Sequence, residues 1–233
     1  MPYEYNYNDI ECISVTNTTV DYGNSSFSKN GEIREKKSLN YFYSLINKNY
    51  KVNIVDIGAN VGLYSLYAKY LPNSQFYSFE PFKFTYDLLN DNIKINNINN
   101  VKTYNIGLSD NKGKTILNVC LSHDGLSTMG ENPLRFNDIH PVEVEIDTLD
   151  NIFYNNNIKV DFIKIDTEGY EYNILKGGEK TIKKYKPIIQ LEYNVTNMQQ
   201  CNINPEQLLN YINELGYTQH NLIDEELIIV PNL

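Results

Sequence analysis

Val55-Asp56-Ile57-Gly58-Ala59-Asn60-Val61-Gly62 is an apolar strand that runs into a glycine turn, and the amphipathic segment 63–71 follows directly. This reads as the first strand, turn and helix of a nucleotide-cofactor fold. Gly58 lets the backbone turn tightly at the strand end, and Gly62 lets the helix start approach a ligand with no Cβ in between. The dinucleotide fingerprint G-x-G-x-x-G is incomplete, because position 60 is Asn. The next strand, 75–79, ends in Glu80-Pro81, which puts an acid about 20 residues beyond the turn, where it can accept hydrogen bonds from a ribose diol. Asp56 is read as orienting the loop or a ligand ammonium group, or else as capping the turn through backbone amides.

Outward from this stretch, strands and helices alternate. A polar N-terminal stretch holds candidate strands at 12–15 and 18–22, and a helical pattern covers 32–46. Then come strand 53–57, helix 62–71, strand 75–80, helix 82–95 and strand 101–106, a βαβαβ half that implies a parallel sheet with right-handed crossovers. Strand-like 114–120 and 142–146 are separated by a Gly/Ser/Asn/Pro-rich loop, 122–141, a candidate lid or substrate loop. Alternation resumes with strand 160–166, helix 171–184, strand 187–193 and helix 205–215. Strands 217–222 and 226–230 are joined by Ile223-Asp224-Glu225 and predict an antiparallel hairpin. With no repeat or linker visible, the expectation is a single domain over 1–233, with 1–50 as an N-terminal extension and 51–233 as the cofactor-binding and catalytic core.

The chain has 233 residues and a formal net charge of −9 without any Lys/Arg-rich block, which argues against a nucleic-acid partner. Three widely spaced cysteines, Cys12, Cys120 and Cys201, form no metal-ligand pattern and read as reduced thiols of a cytoplasmic protein. The polar start Met-Pro-Tyr-Glu-Tyr-Asn predicts no leader, and no apolar run approaches the roughly 18 residues of a membrane helix, so no membrane partner is expected. Paired tyrosines such as Tyr41 and Tyr43, or Tyr64 and Tyr67, read as half-buried core.

A second motif is Asp161-Phe162-Ile163-Lys164-Ile165-Asp166-Thr167-Glu168-Gly169-Tyr170-Glu171, a buried-type strand that carries charges. Alternation puts Phe162, Lys164 and Asp166 on one face, so Lys164 needs an acidic partner or must reach the sheet's carboxyl edge. Ligands of open α/β sheets bind outside the carboxyl ends of the strands, where Asp166, Glu168 and the Gly58 turn would meet. The alternative is that Asp166 and Glu168 cap the helix beginning near Tyr170.

Taken together, 55–62, Phe79-Glu80-Pro81, Leu108-Ser109-Asp110 with Gly113, Thr148-Leu149-Asp150, 162–171 and Leu175-Lys176-Gly177-Gly178 resemble the FkbM family of S-adenosylmethionine-dependent methyltransferases over most of 50–193. The expected fold class is therefore α/β: a Rossmann-like class I methyltransferase fold with a mostly parallel central sheet ending in an antiparallel hairpin and helices on both faces. The resemblance implies S-adenosyl-L-methionine as cofactor, S-adenosyl-L-homocysteine as product, and O-methylation of a small molecule, a sugar or glycan foremost. It also implies that Gly58, Ala59, Asn60 and Gly62 line the methionine and ribose end, with Asp56, Glu80, Pro81 and Asp166 alongside. Asn105, Gly107, Leu108, Ser109 and Asp110 would flank the adenine.

Methyl transfer asks the protein to align acceptor, methyl and sulfur, and a hydroxyl acceptor benefits from a base. Asp166 is the first candidate base, with Glu168 and Lys164 positioning the hydroxyl. Lys164 would itself serve if desolvation lowered its pKa. Glu192 is a further carboxylate at the same edge, and with Asp166 it could hold a divalent ion, although the sequence does not require a metal. His123 in the long loop is a candidate base from the lid side, while His140 and His220 read as structural or exposed. An NAD-linked oxidoreductase and a non-catalytic cofactor-fold module are the alternatives; the acceptor and the oligomeric state are left open by the sequence.

Overall fold

The computed structural model describes residues 1–6, 12–21, 26–33, 35–46, 50–121, 127–130, 139–223 and 225–232. In chain order the elements begin with β1 (Tyr3–Asn6), β2 (Cys12–Val15), α1 (Asn17–Asp21), α2 (Lys36–Ser44), β3 (Asn53–Ile57) and a 3-10 helix (Ser65–Tyr70). They continue through β4 (Gln75–Phe79), α3 (Lys83–Ile95), β5 (Val101–Tyr104), β6 (Gly107–Leu108), β7 (Gly113–Cys120), β8 (Ile139–Asp147) and a π-helical turn (Asp150–Tyr154). The remainder is β9 (Phe162–Ile165), α4 (Glu171–Gly177), α5 (Glu179–Tyr185), β10 (Ile188–Glu192), α6 (Val195–Gln200), α7 (Pro205–Glu214), β11 (Gln219–Ile223) and β12 (Glu226–Val230).

Seven strands form the central sheet in the order β11-β12-β10-β9-β3-β4-β5. The five strands from β5 to β10 in that order are parallel, and β12 runs antiparallel to both β10 and β11. The hairpin predicted from the short turn after 222 is thus the edge of the sheet. β7 and β8 pair antiparallel beside β6 in a separate three-stranded sheet, which breaks the βαβ alternation.

Several sequence expectations change in detail. Within the helix expected over 62–71, only Ser65–Tyr70 is helical, and it is a 3-10 helix. Its tighter winding sets side chains three apart in line, and Tyr67 stacks on Tyr43 with ring centroids 3.8 Å apart. Tyr43, Tyr64 and Tyr67 are fully buried rather than half-buried. The helix expected over 171–184 divides at Gly178, where a Cβ would meet Leu149 Cδ2 at 2.7 Å; at Gly177 it would meet Ser109 O at 1.9 Å. Gly177 thus serves close approach of the Ser109 backbone, and Gly178 leaves room for the Leu149 side chain. Residues 17–21 are helical where a strand was read, and α2 starts at Lys36 because Phe27 and Ile33 pair in an isolated bridge before it. The helix α6 was not anticipated; Asn194 caps it by accepting the amides of Thr196 and Asn197 at 3.0 and 3.2 Å.

Period-two alternation divides the sheet into two buried faces. One face carries Val55, Ile57, Phe79, Ile163, Leu191 and Ile229 against α4, α5 and α7. The other carries Ile54, Phe76 and Phe162 against the N-terminal segment, the 3-10 helix and α3. On this second face the register aligns Ser78, Asp56, Lys164 and Gln190 across four neighbouring strands, all at most 2% exposed. A polar row of this kind across a parallel sheet is stable only when its members satisfy one another.

The N-terminal segment is stitched to α3 by two asparagines. Asn92 Oδ1 accepts the amide of Thr16 at 3.0 Å, and its Nδ2 donates to Val61 O at 2.9 Å. Asn96 treats Ser14 as a neighbouring strand would, accepting its amide at 3.0 Å and donating to its carbonyl at 2.6 Å.

Candidate active site

The carboxyl ends of β3, β4 and β9 open into two adjoining clefts with Gly58, Asn60, Asp166 and Glu168 as their common wall. The first, about 510 Å³, is closed on one side by Pro81, Phe82, Leu117 and Met129 and reaches Glu80. The second, about 550 Å³, is polar and is lined by Asp56, Ala59, Tyr64, Lys164 and, from the N-terminal segment, Ser26 and Glu35.

The turn after β3 is set by its backbone. Gly58, Asn60 and Gly62 all have positive φ, at 75°, 49° and 104°. At Gly58 a Cβ would lie 1.9 Å from Asp166 O, so this glycine lets the ends of β3 and β9 touch. Gly62 has a different task from the one expected of it. Its missing Cβ leaves room for Leu89 Cδ1 of α3, which would otherwise lie 2.8 Å away, and Gly62 is not on the wall of either cleft.

Glu80 is 7% exposed and lies at the end of β4. Its Oε1 accepts the Phe82 amide at 2.9 Å and the Thr85 hydroxyl at 3.0 Å, and its Oε2 accepts the Asn60 amide at 2.9 Å. Burial pushes its pKa up to about 7 despite these donors. Asp56 is buried beneath the turn and accepts the Ser65 hydroxyl, which is in turn 2.7 Å from the Ser78 hydroxyl. Burial raises it to about 6, against the pull of Ser65 and Lys164.

Lys164 is 1% exposed and finds the acidic partners that its place in a buried strand demands. Its Nζ lies 3.2 Å from Asp166 and 3.0 Å from Glu226, and 5.0 Å from the centre of the Tyr64 ring. Burial alone would lower its pKa, but the carboxylates of Asp166 and Glu226 outweigh it and raise the pKa well above the ordinary lysine value. The reading of Lys164 as a base is therefore corrected: the ammonium holds its proton. Glu226, the first residue of β12, was missed by sequence reasoning, although an acid opening the apolar run Leu227–Val230 was a visible signal.

Asp166 and Glu168 do not cap the next helix, since Tyr170 occupies that position without a side-chain bond. Glu171 organises the turn instead, accepting the Thr167 amide at 3.0 Å, its hydroxyl at 2.9 Å and the Gly169 amide at 3.3 Å. That leaves Asp166 and Glu168 facing the clefts, Glu168 at a φ of 55°. Asn197 Nδ2 bridges the next pair, donating to Glu168 at 2.6 Å and to Glu192 at 3.1 Å. Burial, together with Asp166, Glu168 and Glu171, raises Glu192 to about 10.

Asp166, Glu168 and Glu192 bring one oxygen each within 4.8 Å of one another, as do Glu35, Asp166 and Glu226. In the second trio Lys164 already supplies the positive charge. The first trio has donor atoms suited to a hard divalent ion.

The segment after β5 lies differently from expectation. Leu108 and Ser109 are at most 1% exposed, and Ser109 is packed against Gly177. Asp110 pairs with Lys176 at 3.8 Å, and Asn105 donates to Glu80 O and Pro81 O at 2.9 and 3.0 Å. Gly107 rests near Met129 Sδ. None of these five lines either cleft; Gly107, Leu108 and Ser109 are buried in the packing of β6 on β8 and α4, while Asn105 is half-buried and Asp110 is exposed. His140 and His220 are exposed. His123 lies outside the described residues, as does most of the 122–141 loop. No helix among the described residues is long and apolar enough to cross a membrane.

A family model described as the methyltransferase FkbM domain matches residues 56–218. Methyltransferase sdnD of Sordaria araneosa is 31% identical over 156 residues, which cover 54% of this chain and 60% of that protein. Methyltransferase 1 of Beauveria bassiana is 27% identical over 142 residues, 53% of this chain and 57% of that protein. The chain thus spans about 60% of the length of the curated relatives it matches. Among solved structures, methyltransferase FkbM from Methylobacillus flagellatus KT superposes with a TM-score of 0.53 at 16% identity, over 80% of this chain and 45% of that one. Precorrin-6y C5,15-methyltransferase from Geobacter metallireducens GS-15 gives 0.50 at 12% identity, over 85% and 87%. These likenesses establish the Rossmann-like class I methyltransferase fold.

Proposed function

The chain belongs to the FkbM methyltransferase domain family, and from that premise we propose that it is an S-adenosylmethionine-dependent O-methyltransferase acting on a hydroxyl of a small molecule, a sugar or glycan. The observation that carries this reading is the pair of joined clefts at the sheet's carboxyl edge, one apolar on one side with Glu80 at its end, the other acidic. A nucleoside with a cationic tail fits such a pair.

The fit is supported by Glu80 itself. A carboxylate offers about four acceptor sites, and Glu80 Oε2 receives a single hydrogen bond among the described residues, leaving capacity for a ribose hydroxyl. Pro81, Phe82, Leu117 and Met129 offer an apolar wall for the base. The cofactor supplies an activated methyl group, so the protein's work is alignment and proton removal.

Asp166 is the group that accepts the acceptor hydroxyl's proton, because it faces both clefts and Lys164 fixes its position from below. Glu168, held by Asn197, orients the hydroxyl from the other side. Glu192 stands behind them in contact with Asn197, where it supports Glu168.

Calorimetric titration with S-adenosylmethionine, with NAD in parallel, tests the reading. Micromolar binding of S-adenosylmethionine that is lost in Glu80→Ala is expected, followed by methylation within a panel of sugars. Tighter binding of NAD, or none of S-adenosylmethionine, overturns the reading and leaves the fold standing.

A further inference from the structure

Four buried side-chain oxygens have no hydrogen-bond partner among the described residues: Glu35 Oε2, Asn40 Oδ1, Glu171 Oε2 and Gln190 Oε1. Only Glu35 of these four residues is on the wall of a cleft. It comes from the N-terminal segment, ahead of the matched residues 56–218. It stands in the second cleft with Asp56, Gly58, Ala59 and Asn60, the turn that the cofactor's amino-acid end would follow. Its side chain does not cap the helix that it precedes, so it contributes nothing there.

A carboxylate buried without a donor is costly, and a cation relieves that cost. The groups facing Glu35 from the surrounding elements are Asp56 of β3, Tyr64, Lys164 of β9, Asp166 and Glu226 of β12. The sole cation facing it among the described residues, Lys164, is already shared by Asp166 and Glu226. Burial and the nearby Asp166 charge accordingly raise Glu35 to about 8. Asp56, the candidate for a ligand ammonium from sequence, is instead engaged by Ser65.

We propose that Glu35 receives the α-ammonium group of the cofactor's methionyl end, which makes the N-terminal segment part of the cofactor site. This rests on the cofactor reading above, and it adds a residue outside the family's matched region to the binding machinery. No covalent step is involved; the carboxylate accepts hydrogen bonds from the ammonium and neutralises it.

The test compares three probes on the full chain and on Glu35→Gln: S-adenosylmethionine, S-adenosylhomocysteine and 5′-methylthioadenosine, which lacks the amino-acid end. Loss of one charge-assisted hydrogen bond should weaken the first two by about tenfold or more, with 5′-methylthioadenosine unchanged and serving as the control for a folded nucleoside site. Unchanged affinity for all three overturns the proposal, as does an equal loss for all three, which marks a structural role. Weakening of S-adenosylmethionine alone points to the sulfonium and overturns the ammonium assignment. If the unaltered chain binds none of the probes, the cofactor reading itself falls and takes this proposal with it.

Discussion

Glu80 and Glu192 stand at the carboxyl ends of two strands of one sheet, and burial raises the pKa of both, but their surroundings differ in kind. Glu80 is met by two backbone amides and a hydroxyl, so its orientation is fixed by the turn and by the start of α3. Glu192 is met by the amide of Asn197 and by the charges of Asp166, Glu168 and Glu171. The first settles at about 7 and the second at about 10. The two carboxylates thus part by the groups around them: amides and a hydroxyl offset much of the effect of burial on Glu80, whereas neighbouring acids add to it on Glu192. The Lys164 cluster lies between the two regions and balances its acids with a true cation.

The largest effect should come from removing that cation. Lys164→Met strands Asp166 and Glu226 without their partner and should cost roughly 3–5 kcal/mol, the usual result of breaking a buried pair. Urea unfolding reads it, and a loss below about 1 kcal/mol would mean that the row is open to water. Next, Glu80→Gln sets an amide N–H against donors and should cost about 1–3 kcal/mol; retention of full stability would show that the amides around Glu80 do not need its charge.

Glu192→Gln should do the opposite. Glu192's native pKa is raised from 4.5 to about 10, so below the unfolded value its contribution is fully present, and it is lost as pH rises through that window. The variant should match the parent near pH 4 and gain about 1 kcal/mol at pH 8, a Tm rise of ~2–4 °C for a chain of this size. A difference that does not vary with pH would dissolve the contrast with Glu80. The smallest expected change is that of Thr85→Val, which removes one of three donors from Glu80, for about 0.5 kcal/mol in thermal unfolding.

Much of this was legible in sequence because strand periodicity and glycine turns are local signals. Residues 53–57, 75–79 and 226–230 are strands as read, and the charged strand read over 160–166 announced that Lys164 needed acids. What sequence could not supply was which acids. Glu226 lies 62 residues from Lys164 and meets it only because β12 turns antiparallel onto β10. Gly62 was assigned to a ligand because a glycine's role depends on its neighbour, here Leu89, which no spacing reveals. Glu35 was missed for the same reason: in sequence it is one charge among several in a polar stretch, and it becomes distinctive only when buried beside the turn.

Asn92 and Asn96 tie Thr16 and Ser14 into place across separations of 76 and 82 residues. Contacts of that span carry the entropy cost of closing a long loop, which the packing they bring must offset. The start of the N-terminal segment is thereby anchored by side chains that lie far downstream in the chain, so that part of the fold is built from two distant stretches of sequence.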